Sequence, residues 1–369
     1  MSAERDALEV VHVAESIRGG IATHLIHLLP LQRERYGHER IAVVAPDDQL
    51  QDLGDPRGVQ VVGFRSSRNR VVSAWRARRK LIELMGNTPA RIVHLHSTFA
   101  GASCRVMRIA SLKHARLIYC AHGWAFLRDS RSRWLMRVIE RELAHAADAI
   151  VCVSEDEHRE AIRIGIPGAK LITIPNGLPD MSPASAAGEN PCAPRDLRLL
   201  FIGRTDRQKG LDILLSALPL LRRRVRLDVY GGAVLCDANL GDPPGNAIFH
   251  GWQAPDVIAK ALAACDAVVT PSRWEAFGFV ALEAMRAGKP VIATRVGGLK
   301  DLVVHGETGY IIRPNDAHEL AQTLERLDWE SLRKMGEAAR EVFLESFQID
   351  VLEPQLAAIY EAQAENANG

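Results

Sequence analysis

The sequence predicts an α/β protein made of two doubly wound domains, each built on a mostly parallel sheet. Three observations predict it. Short β-branched apolar runs recur along all 369 residues, and a helical pattern follows each of them. The runs are continuously apolar rather than alternating, as strands buried on both faces of a parallel sheet require. The pattern also restarts once, after a stretch rich in Pro, Ser and Ala.

Taken in order, the first set of runs is EVVHVA (9–14), RIAVVA (40–45), RIVHLH (91–96), RLIYCA (116–121), AIVCVS (149–154) and LITIP (171–175). The second set is LRLLFIG (197–203), VRLDVYG (225–231), AIFHG (247–251), DAVVTP (266–271), PVIAT (290–294) and GYIIRP (309–314). The intervening PDMSPASAAGENPCAP reads as a linker. The expected organisation is an N-terminal domain at 1–178, a linker at 179–194, a C-terminal domain at 195–345 and a C-terminal helix at 346–369. The helical pattern at 345–363 is interrupted by Pro354, and the helix is expected to pack back toward the N-terminal domain.

Composition narrows the function classes. Apolar residues are 47% and charged residues 25%, a globular balance that excludes collagen-like and wholly disordered chains. The net charge of +1 conceals an asymmetry: residues 1–180 carry +6 and residues 181–369 carry −5, while residues 57–141 alone carry +15. The six cysteines form no CxxC pair and no metal-ligand spacing, which fits a reducing compartment. The N-terminus lacks an apolar signal core, and no run is long enough to span a bilayer. A cytoplasmic protein, peripheral on the inner face of the membrane, is the expectation.

Ligands of open α/β sheets bind at the carboxyl ends of the strands, and the unusual residues collect there. Gly19 and Gly20 precede a helix and can present backbone N–H groups to a phosphate, although they do not form a GxGxxG fingerprint. His122 and Gly123 end a buried strand. In GRTDRQKG (203–210), Arg204 and Lys209 flank a loop and can converge on one anion. The stretch PSRWEAFGFVALE (271–283) sets Glu275 and Glu283 eight positions apart. The amides of Gly278, Phe279 and Val280 fall at the start of a helix stopped by Gly288.

These residues resemble the GT-B glycosyltransferases of the large retaining family 4, along about residues 9–345. The Glu275-x7-Glu283 stretch carries the resemblance most strongly. It is joined by VGGLKDLVVHGETGYII (296–312), GRTDRQKG (203–210), VSEDEHRE (153–160), IPNGLP (174–179), RGGIATHL (18–25) and CAHGW (120–124). The resemblance implies two Rossmann-like parallel-sheet domains facing across a cleft, with a C-terminal helix. It implies transfer of a sugar from a nucleoside-diphosphate sugar to a glycan acceptor, by a hexosyltransferase-type enzyme with no metal and no cofactor. Arg204 and Lys209 are then expected to bind the diphosphate and Glu283 the ribose. Glu275, Phe277 and the Gly278–Val280 amides would meet the transferred sugar, with Gly19, Gly20 and Gly251 also at the donor and His122 beside the sugar. In place of an acidic residue common in the family, this sequence has Pro179.

The N-terminal domain of such enzymes generally receives the acceptor. Within its basic segment, Val71, Trp75, Ile82 and Met85 form a helical stripe flanked by Arg70, Arg76, Arg78, Arg79 and Lys80, and SRSRWLMRVIERE (130–142) repeats the basic-plus-Trp theme. Such a helix either lies on an anionic membrane, which suits a lipid-linked acceptor, or turns its stripe to the core. Nucleic acid is not an expected partner, because no recognition motif accompanies the charge. The competing functions are a transferase-like binding subunit without activity and a sugar-nucleotide epimerase.

Overall fold

The computed structural model describes residues 7–106, 112, 114–127, 133–181, 196–232 and 244–362. The linker beyond residue 181, Ser130–Ser132 of the second basic segment, Cys192 and Cys236 lie outside the described residues. The chain divides into two compact units, Met1–Pro179 with Ile349–Gly369, and Asp180–Gln348.

In the first unit the elements run β1 (Leu8–Ala14), α1 (Gly20–Tyr36), β2 (Ile41–Pro46), β3 (Gln60–Phe64), α2 (Arg70–Asn87), β4 (Ala90–His96), α3 (Thr98–Arg105), β5 (Arg116–Cys120), α4 (Arg133–Ala144), β6 (Ala149–Cys152), α5 (Glu155–Arg163) and β7 (Leu171–Thr173). The sheet order is β3-β2-β1-β4-β5-β6-β7, parallel throughout. Val10, Val11, Val13, Ile92, Val93 and Ile118 are essentially inaccessible to solvent, so the central strands are covered on both faces.

The second unit runs β8 (Leu197–Ile202), α6 (Leu211–Ala217), β9 (Val225–Tyr230), β10 (Ala247–Gly251), α7 (Pro255–Ala264), β11 (Ala267–Thr270), α8 (Phe279–Arg286), β12 (Val291–Thr294), α9 (Leu299–Leu302), β13 (Gly309–Ile312), α10 (Ala317–Glu325) and α11 (Trp329–Ser346). Its sheet, β10-β9-β8-β11-β12-β13, is again parallel. In both sheets the strand order reverses beside the first strand, between β1 and β4 and between β8 and β11. Connections leave toward opposite sides at these two points, and a crevice opens at the strand ends.

Helix α12 (Ile349–Glu361) belongs to the first unit. Its first amide donates to Leu178 O at 3.0 Å, Arg35 holds Glu353 with two bonds at 2.8 and 2.7 Å, and Arg116 reaches Ala362 O at 2.6 Å. Pro354 does not interrupt this helix as the sequence pattern suggested. It lies inside the helix, where the one lost N–H bond is offset by the face that Leu352, Leu356, Ile359 and Tyr360 bury.

Two further expectations are corrected. Strand β3, QVVGF, is absent from the list of apolar runs: it is a short edge strand containing Gly63, and only Phe64 is fully buried. The stripe of Val71, Trp75, Ile82 and Met85 is not one face of α2. Ser73, Ala74, Ala77, Leu81, Leu84 and Met85 face the core, whereas Val71 and Trp75 are 61% and 56% exposed. Small residues at 73, 74 and 77 let the helix lie close to its neighbours, which a Val–Trp stripe would prevent. The described cysteines, Cys104, Cys120, Cys152 and Cys265, are buried free thiols.

Close backbone packing makes one glycine in the second sheet irreplaceable. A Cβ on Gly309 of β13 would lie 2.0 Å from Val291 O in β12. Gly309→Ala is expected to cost about 2 kcal/mol or more in urea unfolding. Gly86→Ala in α2, where a Cβ meets nothing within 4 Å, is expected to be neutral or stabilising by up to ~1 kcal/mol.

Candidate active site

In the second unit the site forms where β8 and β11 end. After β8 the chain turns at Gly203 and returns at Gly210, a left-handed residue that caps α6. A Cβ on Gly210 would sit 2.0 Å from Pro271 O, so the loop after β8 rests directly on the backbone of the loop after β11. This contact brings Lys209 Nζ within 2.5 Å of Glu275 Oε2, and Ser272 Oγ donates to the same oxygen at 3.3 Å. From β12, Thr294 Oγ1 donates to Ser272 O at 2.5 Å. Gly297 and Gly298 then press on the other side: a Cβ on Gly297 would be 1.5 Å from Glu275 O, and one on Gly298 2.7 Å from Phe277 O.

Helix α8 begins at Phe279, with left-handed Gly278 as its cap and no side chain capping it. Its first amides therefore have no partner within the helix, and the helix dipole favours an anion or a ring of hydroxyl oxygens beside them. Lys209, Thr270, Ser272, Glu275, Gly278 and Val280 line one pocket here. Thr270 Oγ1 is buried there without a partner. Burial pushes the Glu283 carboxyl, one turn into α8, above the ordinary carboxylate range, against the pull of Arg286 and Lys209.

The structure places the other expected residues differently. Arg204 is held inside its own loop, by Gln208 at 2.6 Å and Asp206 at 3.2 Å, and Gln208 donates to Trp274 O at 3.1 Å. Arg204 and Lys209 thus make two separate pairings, each with its own nearby acceptor. The Phe277 ring is buried against Phe279 and Phe347, with centroids 5.5 and 6.4 Å away. Gly251 has a positive φ of 67° at the end of β10, and its carbonyl accepts from Gly231 N at 2.8 Å. Arg273, although inside the most informative stretch, is committed to Asp212 at 2.8 and 2.6 Å.

In the first unit Gly19, with φ 82°, caps α1 without a side-chain bond. Glu15 is fully buried and anchors the switch point, accepting from Arg70, from Ser97 Oγ and, at 3.0 Å, from the amide of Ala100. His122 follows β5 with a positive φ of 48°, a conformation that few non-glycine residues adopt. Its loop is fastened from α5: Trp124 Nε1 donates to Glu157 O at 2.9 Å, and Glu157 Oε2 accepts from Val153 N at 3.0 Å. Burial pushes the Glu157 carboxyl up to about 7, while the Val153 and Gly123 amides work the other way.

His122 does not stand alone. His12 on β1 is the register partner of His94 on β4, and His94 and His96 share one face of that strand. His12 Nδ1 lies 2.9 Å from His96 Nε2, and His96 Nδ1 lies 2.9 Å from His122 Nε2. At the far end His12 Nε2 is 2.7 Å from Gln32 Oε1. Desolvation lowers the His12 and His122 imidazoles to about 4 and holds His24, His94 and His96 well below 6.5. The ligand nitrogens of His12, His94 and His96, and of His24, His96 and His122, lie close enough to hold a metal ion, both sets sharing His96. Sequence reasoning singled out His122 alone. The missed signal was three histidines on apolar strands at positions that share a sheet face.

The two halves match two glycosyltransferase families: residues 19–177 a "Glycosyl transferase 4-like domain" and residues 196–328 "Glycosyl transferases group 1". Together they span well over half the chain. The chain belongs to the group 1 glycosyltransferases. Its fold is the GT-B arrangement of two Rossmann-like parallel-sheet domains, and the transferase expectation stands over the epimerase alternative. An uncharacterized 41.2 kDa protein in the cps region of Klebsiella pneumoniae is 28% identical over 96% of this chain and 100% of its own length. An uncharacterized glycosyltransferase of Methanocaldococcus jannaschii is 26% identical over 95% of this chain and 96% of its own. The structure of Anabaena HepE in complex with UDP-glucose superposes with a TM-score of 0.78 at 20% identity, covering 95% of this glycosyltransferase and 98% of that chain.

The buried imidazoles predict a pH dependence. Below 6.5 the unfolded chain takes up protons that the folded chain refuses until about pH 4, so this stability is present above pH 6.5 and is lost as the pH falls. Glu157, raised from 4.5 to about 7, acts oppositely between those values, as does raised Glu283. The five imidazoles outweigh these two carboxyls, each contributing up to ~1.4 kcal/mol per pH unit. The urea midpoint is expected to fall from pH 7 to pH 5; a flat or rising midpoint contradicts the neutral assignment.

Proposed function

We propose that the chain moves a glycosyl group from a nucleoside-diphosphate sugar to a glycan acceptor, with retention of configuration and without a metal. The observation that carries this is the Lys209–Glu275 ion pair set beside the uncapped start of α8 at the β8/β11 switch point. An ammonium engaged by one carboxylate keeps further N–H donors for a diphosphate. The α8 amides add fixed dipoles of the same sign. Such groups stabilise the charge that builds on a departing nucleoside diphosphate.

In this reading Glu283 accepts from the ribose hydroxyls. Glu275 and the Gly278–Val280 amides hold the transferred sugar, Arg204 binds the diphosphate with Lys209, Gly251 borders the nucleotide, and Gly19 and Gly20 of the first unit meet the diphosphate. His122 accepts a hydrogen bond from a sugar hydroxyl. The glycosyl C–O bond to the diphosphate breaks as the acceptor oxygen bonds to the same carbon, and the leaving phosphate oxygen takes the acceptor proton. In this step the acceptor oxygen attacks the glycosyl carbon directly, with no carboxylate nucleophile.

Turnover tests this directly. Lys209→Ala and Glu275→Ala are each expected to lower kcat by ~10²–10³ while the circular dichroism spectrum stays native. Unchanged turnover in both overturns the assignment, and EDTA is expected to leave the parent rate unchanged. In thermal-shift assays with UDP-, GDP-, ADP- and dTDP-sugars, one base series is expected to raise Tm selectively.

For the acceptor we infer a lipid-linked glycan met at an anionic membrane surface, in the synthesis of a cell-surface polysaccharide. On α4, Trp134, Leu135 and Val138 are 67%, 41% and 40% exposed beside exposed Arg133, Arg137 and Arg141. Val71 and Trp75 add an exposed apolar pair on α2. Arg76 is tied to Arg65 O and Ser66 O, and Arg79 and Lys80 share Glu83; on α4 Arg133 donates to Phe126 O at 3.2 Å and Arg141 pairs with Glu142 at 2.8 Å, which leaves exposed Arg137 beside Trp134 as the centre of that surface. Among the described residues no helix is long and apolar enough to cross a membrane. The chain is expected to sediment with vesicles containing phosphatidylglycerol, and Trp134→Glu with Arg137→Glu to abolish this; no sedimentation of the parent chain contradicts it.

A further inference from the structure

The three imidazoles in series carry more information than their burial. Each neutral imidazole has one N–H and one lone pair, so a run of ring-to-ring hydrogen bonds must point one way throughout. His12, His96 and Gln32 are all 1% exposed or less, so water does not compete for these bonds. The direction is set where the run ends on a group that is not an imidazole. That group is Gln32, whose carbonyl oxygen faces His12 Nε2 at 2.7 Å and whose amide nitrogen faces Tyr360 Oη at 3.4 Å.

With the Gln32 amide turned so that Oε1 faces His12 and Nε2 faces Tyr360, reading outward from it fixes every proton. Oε1 accepts, so His12 carries its hydrogen on Nε2 and offers Nδ1 as a lone pair. His96 Nε2–H donates to that lone pair, leaving His96 Nδ1 as an acceptor. His122 Nε2–H donates to His96 Nδ1, and His122 keeps its lone pair on Nδ1. Tyr360 takes part from the opposite end of the chain, since its oxygen lies 2.6 Å from His94 Nδ1 as well as beside Gln32.

We propose that Gln32, His12 and His96 are positioning residues that lock His122 as its Nε2–H tautomer, so that Nδ1 meets the sugar as an acceptor. This rests on the reading of His122 as the group that touches the transferred sugar. The other tautomer would present an N–H to the same hydroxyl and exchange the roles of donor and acceptor. The neutrality that the scheme requires agrees with the strong desolvation of all three rings.

The test is 15N NMR of the full chain labelled at histidine, with His122 assigned through His122→Gln. At pH 7.5, His122 is expected to show a pyrrole-type Nε2 and a pyridine-type Nδ1. Gln32→Met, which fills the same space without an acceptor, is expected to convert this to a tautomer mixture. His12→Leu should do the same, and His12→Asn, which sets Oδ1 where Nδ1 stood, should restore the parent pattern; this pair stands even if Gln32→Met fails to fold. In turnover, Gln32→Met is expected to lower kcat about ten-fold or more with little change in donor KM. An Nδ1–H tautomer in the parent chain, a pattern indifferent to Gln32→Met and His12→Leu, or a metal-coordination shift of His96 on adding Zn²⁺ overturns the proposal. Native turnover in His122→Ala with the tautomer results intact instead overturns the sugar contact and leaves the relay standing.

Discussion

The second unit depends on backbone meeting backbone. The loops after β8, β11 and β12 touch at Gly210, Gly297 and Gly298, with Cβ positions already occupied by Pro271 O, Glu275 O and Phe277 O. At these contacts the three loops pack backbone directly against backbone. The Lys209–Glu275 pair is a product of that geometry, since neither residue lies on a regular element. The position of the charged groups is therefore set by glycines that make no chemistry of their own, and a fault of a few tenths of an ångström in any of them moves the ion pair.

The first unit solves a similar problem by other means. Its switch point is held by side chains, with Glu15 gathering Arg70, Ser97 and Ala100, and a file of imidazoles crossing the sheet from Gln32 to His122. Burying five imidazoles is most costly in acid; near neutrality they carry no charge, and the remaining cost falls on His24 Nδ1 and His94 Nε2, which are buried without a partner. The arrangement gives a hydrogen-bonded interior whose directionality survives in the absence of solvent, which an apolar core cannot supply.

Much of this was legible in the sequence, because parallel sheets write themselves as continuous apolar runs and their ligands gather at the strand ends. Twelve strands were visible as such runs, and only β3, half exposed and broken by Gly63, lacked the signal. Glu275, Lys209, Gly278 and Val280 were legible as a group because loops joining strands to helices place them together. The partner of each residue was not. That Lys209 pairs with Glu275 while Arg204 turns to Gln208 and Asp206 depends on distances between loops 66 residues apart. The inward face of α2 was left open, because the large Val71 and Trp75 drew attention away from Ser73, Ala74 and Ala77, whose small side chains pack closest. The imidazole file was hidden because its members are spread from 12 to 122, and each alone passes for an ordinary strand histidine.

Helix α12 gives the first unit an unusual order of assembly. Both of its ends are sewn into that unit, at Leu178 and at Arg116, and Tyr360 reaches Gln32 and His94 inside the sheet. During synthesis the seven strands of this sheet leave the ribosome long before residue 360 is made. The nascent first unit must therefore wait, with its histidine file open at one end, until the entire second unit has been translated. Competence of the polar interior is thus acquired only after the second unit has been translated rather than domain by domain. A chain arrested anywhere in the second unit would hold a formed sheet but lack the tyrosine that closes its innermost hydrogen bonds.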